Sequence, residues 1–294
     1  METTDLDSGT TAAISVVDLD HYPIHLPDSK IYQLRISAAR KGLESEGCCV
    51  LKGFIRTDSL AQISAETAAL CPKAHFTGSR ATVYGGPLDP AYPTDHPRNM
   101  AVQRDNGFVA GDLIGGQTAV RRLYHAKSFR DFVGQCLGTG EIFEFADPLA
   151  SLVINVLKPG KGHGWHFDTN EFVVTLATQL PVRGGEFEYS PGLRSRESEN
   201  FSSVSAVLQG DRAPVRSLDL CAGDLQIFFG RHSLHRVAPV QGERERHTVI
   251  FAYARTEGMV GNPEKTRQIF GRLTDDHQKP NTRFSRADGL SDGA

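Results

Sequence analysis

Cysteine is scarce in this chain and unpatterned. Cys48, Cys49, Cys71, Cys136 and Cys221 are odd in number and follow neither metal-site nor disulfide spacing. That excludes a disulfide-stapled scaffold and fits reduced core thiols in a cytoplasmic protein. No stretch of about 18 apolar residues occurs, so no membrane-spanning helix is expected. The opening residues, Met1-Glu2-Thr3-Thr4-Asp5-Leu6-Asp7, lack the positive charge and the apolar run of a signal peptide. Neither sign of charge is in excess. Against 35 Asp and Glu stand 32 Lys and Arg, a net of −3, which leaves no electrostatic case for a nucleic-acid or membrane partner. Internal repeats and low-complexity blocks are absent. The partner expected is therefore a small molecule, and nothing specifies an oligomeric state.

What is present suits one enzyme-sized domain. The 294 residues are 39% hydrophobic, enough for a sizeable core without a second domain. Residues 1–14 are small and polar and read as a mobile tail. A helix is expected from Lys30 to Ser45, a strand over Cys48–Phe54, and a second helix opened by Thr57-Asp58-Ser59. Residues 76–115, rich in Gly, Pro and Asp, read as a long irregular connection of the kind that forms binding loops or lids. The core is expected over about 147–255. Strand signals lie at 151–157, 172–180, 185–189, 204–208, 224–229 and 247–254, with Phe172, Val174, Leu176 and Leu180 on one face of the second. A single domain over 15–260 is then followed by a short helix within 262–273 and a polar tail to 294.

The informative stretch is Gly164-Trp165-His166-Phe167-Asp168, answered 67 residues after Asp168 by His235. A His-x-Asp pair with one distant His is the sequence form of the facial triad that holds non-haem Fe(II) and leaves positions open for a bidentate co-substrate and oxygen. On an extended strand His166 and Asp168 share a face, while Phe167 turns away into packing. The third ligand has to arrive from another strand. The long gap allows several antiparallel strands to run out and back, as in a double-stranded β-helix, the cupin-like jelly roll. The fold class expected is mainly β with flanking helices, α+β.

Arg246 follows His235 by 11 residues and opens the run Thr248-Val249-Ile250-Phe251-Ala252-Tyr253. Its guanidinium can grip a carboxylate through two parallel hydrogen bonds, and Thr248, two residues on, faces the same way. The far carboxylate of 2-oxoglutarate suits this pair. The bland alternative is one more solvated charge in Glu243-Arg244-Glu245-Arg246.

The combination of Ala146-Asp147-Pro148, the His166-Asp168 segment, Gly184-Gly185-Glu186-Phe187-Glu188-Tyr189, Glu199-Asn200, Gly223-Asp224-Leu225 and His235-Arg236-Val237 resembles the Fe(II)/2-oxoglutarate-dependent oxygenases. More narrowly, it is similar to the branch of free-amino-acid halogenases and their hydroxylase relatives, over about residues 75 to 260. The resemblance implies Fe(II), with 2-oxoglutarate and O2 as co-substrates, and it implies His235 rather than His232, three residues earlier, as the third ligand. Halogenases of that branch carry a small residue, typically Gly, where this chain has Asp168. With a carboxylate there, the resemblance implies hydroxylation, desaturation or ring closure of an amino acid or close derivative.

Other residues near the motif divide between roles. His163 would face away from Asp168 on a regular strand; the resemblance suggests a substrate contact, the alternative being a surface His in a Gly-rich turn. Arg98 or Arg104, in the irregular loop, would pair a substrate carboxylate or face solvent. Trp165 packs against the metal strand or touches substrate. Glu186 and Glu188 pair an amine or are ordinary sheet positions, and Arg194 and Asn200 are possible loop braces. Two further readings stay open: a cupin-like binding protein without turnover, and a zinc hydrolase with the same three ligands.

Overall fold

In the computed structural model, which describes residues 12–279 and residue 290, the chain folds as two facing antiparallel sheets braced by helices. The strands are β1 (Cys48–Leu51), β2 (His75–Phe76), β3 (Ser79–Ala81), β4 (Val102–Arg104), β5 (Gly107–Val109), β6 (Phe143–Glu144), β7 (Leu152–Leu157), β8 (His163–His166) and β9 (Val173–Gln179). They continue with β10 (Arg183–Gly184), β11 (Phe187–Ser190), β12 (Arg216–Leu218), β13 (Leu225–Phe228), β14 (Leu234–Val237), β15 (Val240–Gln241), β16 (Arg246–Phe251) and β17 (Tyr253–Ala254). The helices are α1 (Lys30–Glu46), α2 (Thr57–Leu70), α3 (Ala119–His125), α4 (Lys127–Leu137), α5 (Phe201–Leu208) and α6 (Pro263–Phe270). The larger sheet runs β1-β13-β9-β16-β7-β5-β2 and the smaller β12-β11-β14-β8-β4-β3, which is the double-stranded β-helix expected from sequence.

Alternation along the strands decides what each face of the larger sheet does. Val174, Leu176, Leu225, Ile227, Val249, Phe251, Ile154 and Val156 belong to the main apolar core, together with Ile36 and Leu43 of α1 and Phe129 and Phe132 of α4. Their neighbours in sequence, Thr175, Gln226, Thr248 and Asn155, point the other way and line the interior cavity. Helix α1 is bounded by its own chemistry. The Ser29 hydroxyl accepts from Tyr32 N–H at the start, and Gly47 at φ 65° ends it, a left-handed position that favours glycine.

Three expectations change. The stretch from 76 to 115 is not wholly irregular: it supplies β3 and β4 to the smaller sheet and β5 to the larger, so the barrel begins well before Asp147. Strands of three residues carry too few positions for an alternation to be seen. Residues 204–208 form part of helix α5, not a strand, because Phe201, Val204, Val207 and Leu208 pack on one side at helical spacing. Residues 119–137, given no element in the sequence reading, hold α3 and α4, and α4 buries Phe129, Phe132, Val133, Cys136 and Leu137 at helical spacing. Of the expected tails, residues 1–11, 280–289 and 291–294 lie outside the described residues, whereas Ala13 and Ile14 pack into the main core. Among the described residues no helix is long and apolar enough to cross a membrane.

Asp147 ties the segment after the barrel to the turn that precedes β7. Its carboxylate accepts from the backbone N–H of Leu149 at 2.8 Å, Ala150 at 3.1 Å and Gly261 at 3.0 Å, and from His277 Nε2 at 2.9 Å. The His277 ring has its proton on Nε2, because Nδ1 accepts from Thr274 N–H. Asp147 and His277 are both fully buried, so each donor lost would stay unsatisfied. Asp147→Ala should cost about 3 kcal/mol or more, read as a lower Tm and as faster amide exchange in residues 261–278. An unchanged exchange pattern would remove this anchoring role.

Candidate metal and co-substrate site

Strands β8 and β14 lie side by side with His166 opposite His235, their ring centroids 4.1 Å apart. His166 Nδ1–H donates to Gly164 O at 2.8 Å and His235 Nδ1–H to Ser233 O at 2.9 Å. A carbonyl only accepts, so both tautomers are set and both Nε2 lone pairs point at the third member. Asp168, just beyond the end of β8, brings Oδ1 to 3.6 Å from His166 Nε2 and Oδ2 to 3.4 Å from His235 Nε2. The three donor atoms lie within 4.8 Å of one another. Burial, with His163 and His235 beside it, holds His166 well below the usual imidazole range, so it is neutral as a ligand must be. For Asp168 burial pushes upward, but His235, His166 and Arg104 outweigh it and hold the carboxyl below its ordinary value.

Two glycines make room. A Cβ on Gly230 would come within 1.8 Å of Asp168 Oδ2, and one on Gly164 within 2.3 Å of Gln103 O. Phe167 faces away, stacked on Tyr84 at 5.7 Å in the apolar cluster that also holds Trp165. Trp165 thus packs behind the metal strand, beneath the Arg236 guanidinium at 4.8 Å, and does not line the cavity.

His163 departs from the regular-strand expectation. Four residues on β8, from His163 to His166, face three on β14, from Val237 to His235. The extra residue is a bulge that turns His163 onto the face of His166, where the rings stack at 3.9 Å. Arg104 is the cross-strand partner of His163. It donates to Thr82 O at 3.3 Å, and its buried Nε has no hydrogen-bond acceptor. Arg104 and His163 line a smaller chamber, about 170 Å³, that meets the larger one at His166 and Asp168. Arg98 lines neither; its guanidinium lies over the rings of Tyr92, Phe201 and Tyr84 at 5.6–5.9 Å and fastens the loop to α5. Glu188 is held by Arg212 and Arg236, Glu186 faces solvent, and Arg194 braces the loop through Arg231 O and Glu199. His232 is outside the donor cluster, its backbone carbonyl receiving Arg194 N–H.

The larger chamber, about 290 Å³, runs between the sheets to Arg246. Arg246 is 4% exposed and donates to Thr248 Oγ1 at 2.5 Å, and its Nε finds no acceptor. Among the described residues no carboxylate pairs with it. Burial lowers its pKa to about 10, leaving it a cation at neutral pH. An unpaired buried charge of this kind is tolerable only if an anion arrives from outside. Asn155, directly opposite Thr248, presents an unsatisfied Nδ2 to the same space, and Thr175 donates to Gln226 Oε1 at 3.1 Å beside it. Asn155 and Gln226 line the cavity although neither is among the residues expected from sequence. Their signal was a polar residue interrupting the apolar runs Leu152–Leu157 and Leu225–Phe228. Nor is a role expected from sequence for α6, whose Lys265, Ile269 and Phe270 wall the cavity.

A double-stranded β-helix with two histidines and an aspartate between its sheets, and a buried arginine beyond them, is the Fe(II)/2-oxoglutarate-dependent oxygenase class of enzyme. The profile of the family Halogenase D matches residues 32–270, and the chain belongs to that family. Among solved structures, the chain is similar to the non-heme alpha ketoglutarate dependent epimerase SnoN from nogalamycin biosynthesis, with TM-score 0.53 and 14% identity over 76% of this chain and 81% of that one. SnoN in complex with Fe3+, alpha ketoglutarate and nogalamycin RO gives 0.52 at 15% identity, over 76% and 84%. AviO1 from Streptomyces viridochromogenes Tue57 gives 0.51 at 15%, over 74% and 94%. At such identities the likeness is one of fold. No curated protein sequence matches the chain.

Replacing His166, Asp168 or His235 by Ala should abolish binding of Fe(II) or Mn(II), measured by calorimetry, while His232→Ala should leave it intact. Gly230→Ala gives a second check: its methyl group displaces the Asp168 carboxylate, so metal affinity should fall at least ~10-fold although no ligand has been removed. Full affinity in Gly230→Ala would show that Asp168 is not where the metal needs it.

Proposed function

We propose that this enzyme oxidises an unactivated C–H bond of a small carboxylate-bearing substrate, an amino acid or close derivative, inserting oxygen or removing hydrogen rather than transferring halogen. The observation that carries the proposal is the Asp168 carboxylate, seated over Gly230 between the two histidine Nε2 atoms. A carboxylate there takes the position that a halide would need, and its charge disfavours a second anion beside it. His166, Asp168 and His235 would hold Fe(II), a fit supported by their fixed tautomers and donor spacing. Arg246 and Thr248 would hold the distal carboxylate of 2-oxoglutarate, a fit supported by the orphaned Nε of Arg246.

When bound, iron and 2-oxoglutarate supply an oxidative decarboxylation that yields succinate and carbon dioxide and the oxidising power for C–H cleavage. The chain supplies placement. Arg246 fixes the outer end of the co-substrate, and Asn155 stands ready to donate from the adjoining strand. Arg104 and His163 line the smaller chamber that meets the triad, where a substrate carboxylate would meet a partly buried guanidinium. The apolar walls exclude solvent, and the substrate must be held to within about 1 Å, an error of that size costing roughly 100-fold in rate. A zinc hydrolase with the same three ligands would work without oxygen, and a passive binding barrel would release no succinate.

Arg246→Ala should raise the KM for 2-oxoglutarate by about 100-fold or more, the effect of leaving one member of a buried charge pair alone; an unchanged KM would remove Arg246 from the co-substrate site. Product masses should rise by one oxygen or fall by two hydrogens at every chloride concentration. A chlorinated product from the unmodified enzyme would overturn the oxygenation reading.

A further inference from the structure

We infer that the substrate joins a single carboxylate, with or without an α-ammonium beside it, to an uncharged, apolar side chain, as aliphatic and aromatic amino acids and their N-acyl derivatives do, and that substrates with cationic or acidic side chains are excluded. The inference rests on the iron and 2-oxoglutarate sites proposed above and concerns the space they leave. Along β16 the cavity-facing residues change from Arg246 through Thr248 to Ile250, and on β7 the partners of the last two change in step from Asn155 to Val153. Ile250 stands four residues beyond Arg246, about 13 Å along the strand. The polar end is therefore separate from an apolar end.

That apolar end is closed by Phe108 of β5 and by Ile269 and Phe270 of α6, with Met259 before the helix. Phe108, Ile250, Ile269 and Met259 are only partly buried although they sit inside the molecule, so each offers contact surface to whatever fills the chamber. Charge points the same way. Among the described residues the only carboxylate lining either chamber is Asp168, already committed to the triad, whereas Arg104, Arg246 and Lys265 are all cationic. The α-ammonium of an amino acid travels beside its own carboxylate, but an ammonium at the end of the side chain would be buried among three cations with no acid to meet it. A second carboxylate would lie against apolar walls. A hydrocarbon body meets neither cost, and each methylene buried there should tighten binding about fourfold.

Norleucine and lysine share a four-carbon side chain and differ by one terminal ammonium, which makes them the informative pair. Full-length Fe(II) enzyme is given 2-oxoglutarate, oxygen and one of norleucine, leucine, phenylalanine, N-acetyl-leucine, lysine, ornithine or glutamate, and succinate is measured. Anaerobic Mn(II) protein holding 2-oxoglutarate is examined in parallel for the rise in Tm that each compound causes. At least one apolar compound should stimulate succinate release and raise Tm, with kcat/KM about 100-fold or more above lysine and glutamate. Ile250→Asp should narrow or invert the norleucine-to-lysine ratio. A preference for lysine, ornithine or glutamate in the unmodified enzyme overturns the inference. So does 2-oxoglutarate binding with slow succinate release that no apolar compound stimulates, and in that case the oxygenase reading still stands. Failure to bind 2-oxoglutarate at all removes that reading and the inference with it.

Discussion

The antiparallel pairing of β8 with β14, with His166 facing His235, is the constraint on which the site depends. Backbone hydrogen bonding across two strands brings together ligands 69 residues apart in sequence, and it does so with little freedom, because a one-residue slip would turn every side chain to the other face. Within that frame one inserted residue does the opposite of what regular alternation would. The bulge swings His163 to the metal side, and Gly164 lets β8 close on the Gln103 carbonyl where any Cβ would collide. Register places the two histidine ligands, and irregularity places the residue beside them.

Charge organises the rest of the interior. Arg246, buried, lines the larger chamber and Arg104, partly buried, the smaller, and each has a buried Nε without an acceptor. Folding leaves both short of hydrogen bonds, which is the state that the proposed binding of a co-substrate carboxylate and a substrate carboxylate requires. The larger sheet permits this because its strands alternate so cleanly. The outward set supplies the main core, and that core offsets the cost of an inward set carrying Asn155, Thr175, Gln226, Thr248 and Arg246. Asp147 extends the same pairing of buried polar groups, joining the turn before β7 to Gly261 and His277, which flank the helix that closes the cavity's apolar end.

Membership of a halogenase family and a carboxylate at position 168 pull in different directions, and the structure explains how the carboxylate is accommodated. Gly230 is where a Cβ would strike Asp168, so the ligand's position is written in a second residue that bears no donor group at all. On the proposed reading, the outcome of the reaction rests on the side chain at position 168, which the barrel itself does not fix.

The β-rich fold, the clustering of His166, Asp168 and His235 and the shared face of Arg246 and Thr248 were legible in the sequence because each depends on short-range periodicity or on motif spacing. Asn155 and Gln226 were also within reach, as lone polar residues at inward positions of apolar strands. Helix α4 showed its stripe at Phe129, Phe132, Val133, Cys136 and Leu137 and was passed over, and α5 was misread because alternating Val and Ser over five residues satisfies a strand as well as a helix. The remainder could be decided only by tertiary structure. The bulge at His163, the Gly230–Asp168 contact, the removal of Arg98 and Trp165 from the cavity and the closure of the chamber by Ile269 and Phe270 all depend on pairings between segments tens of residues apart. No local pattern encodes such pairings, because the face a side chain shows is set by the strand it lies against.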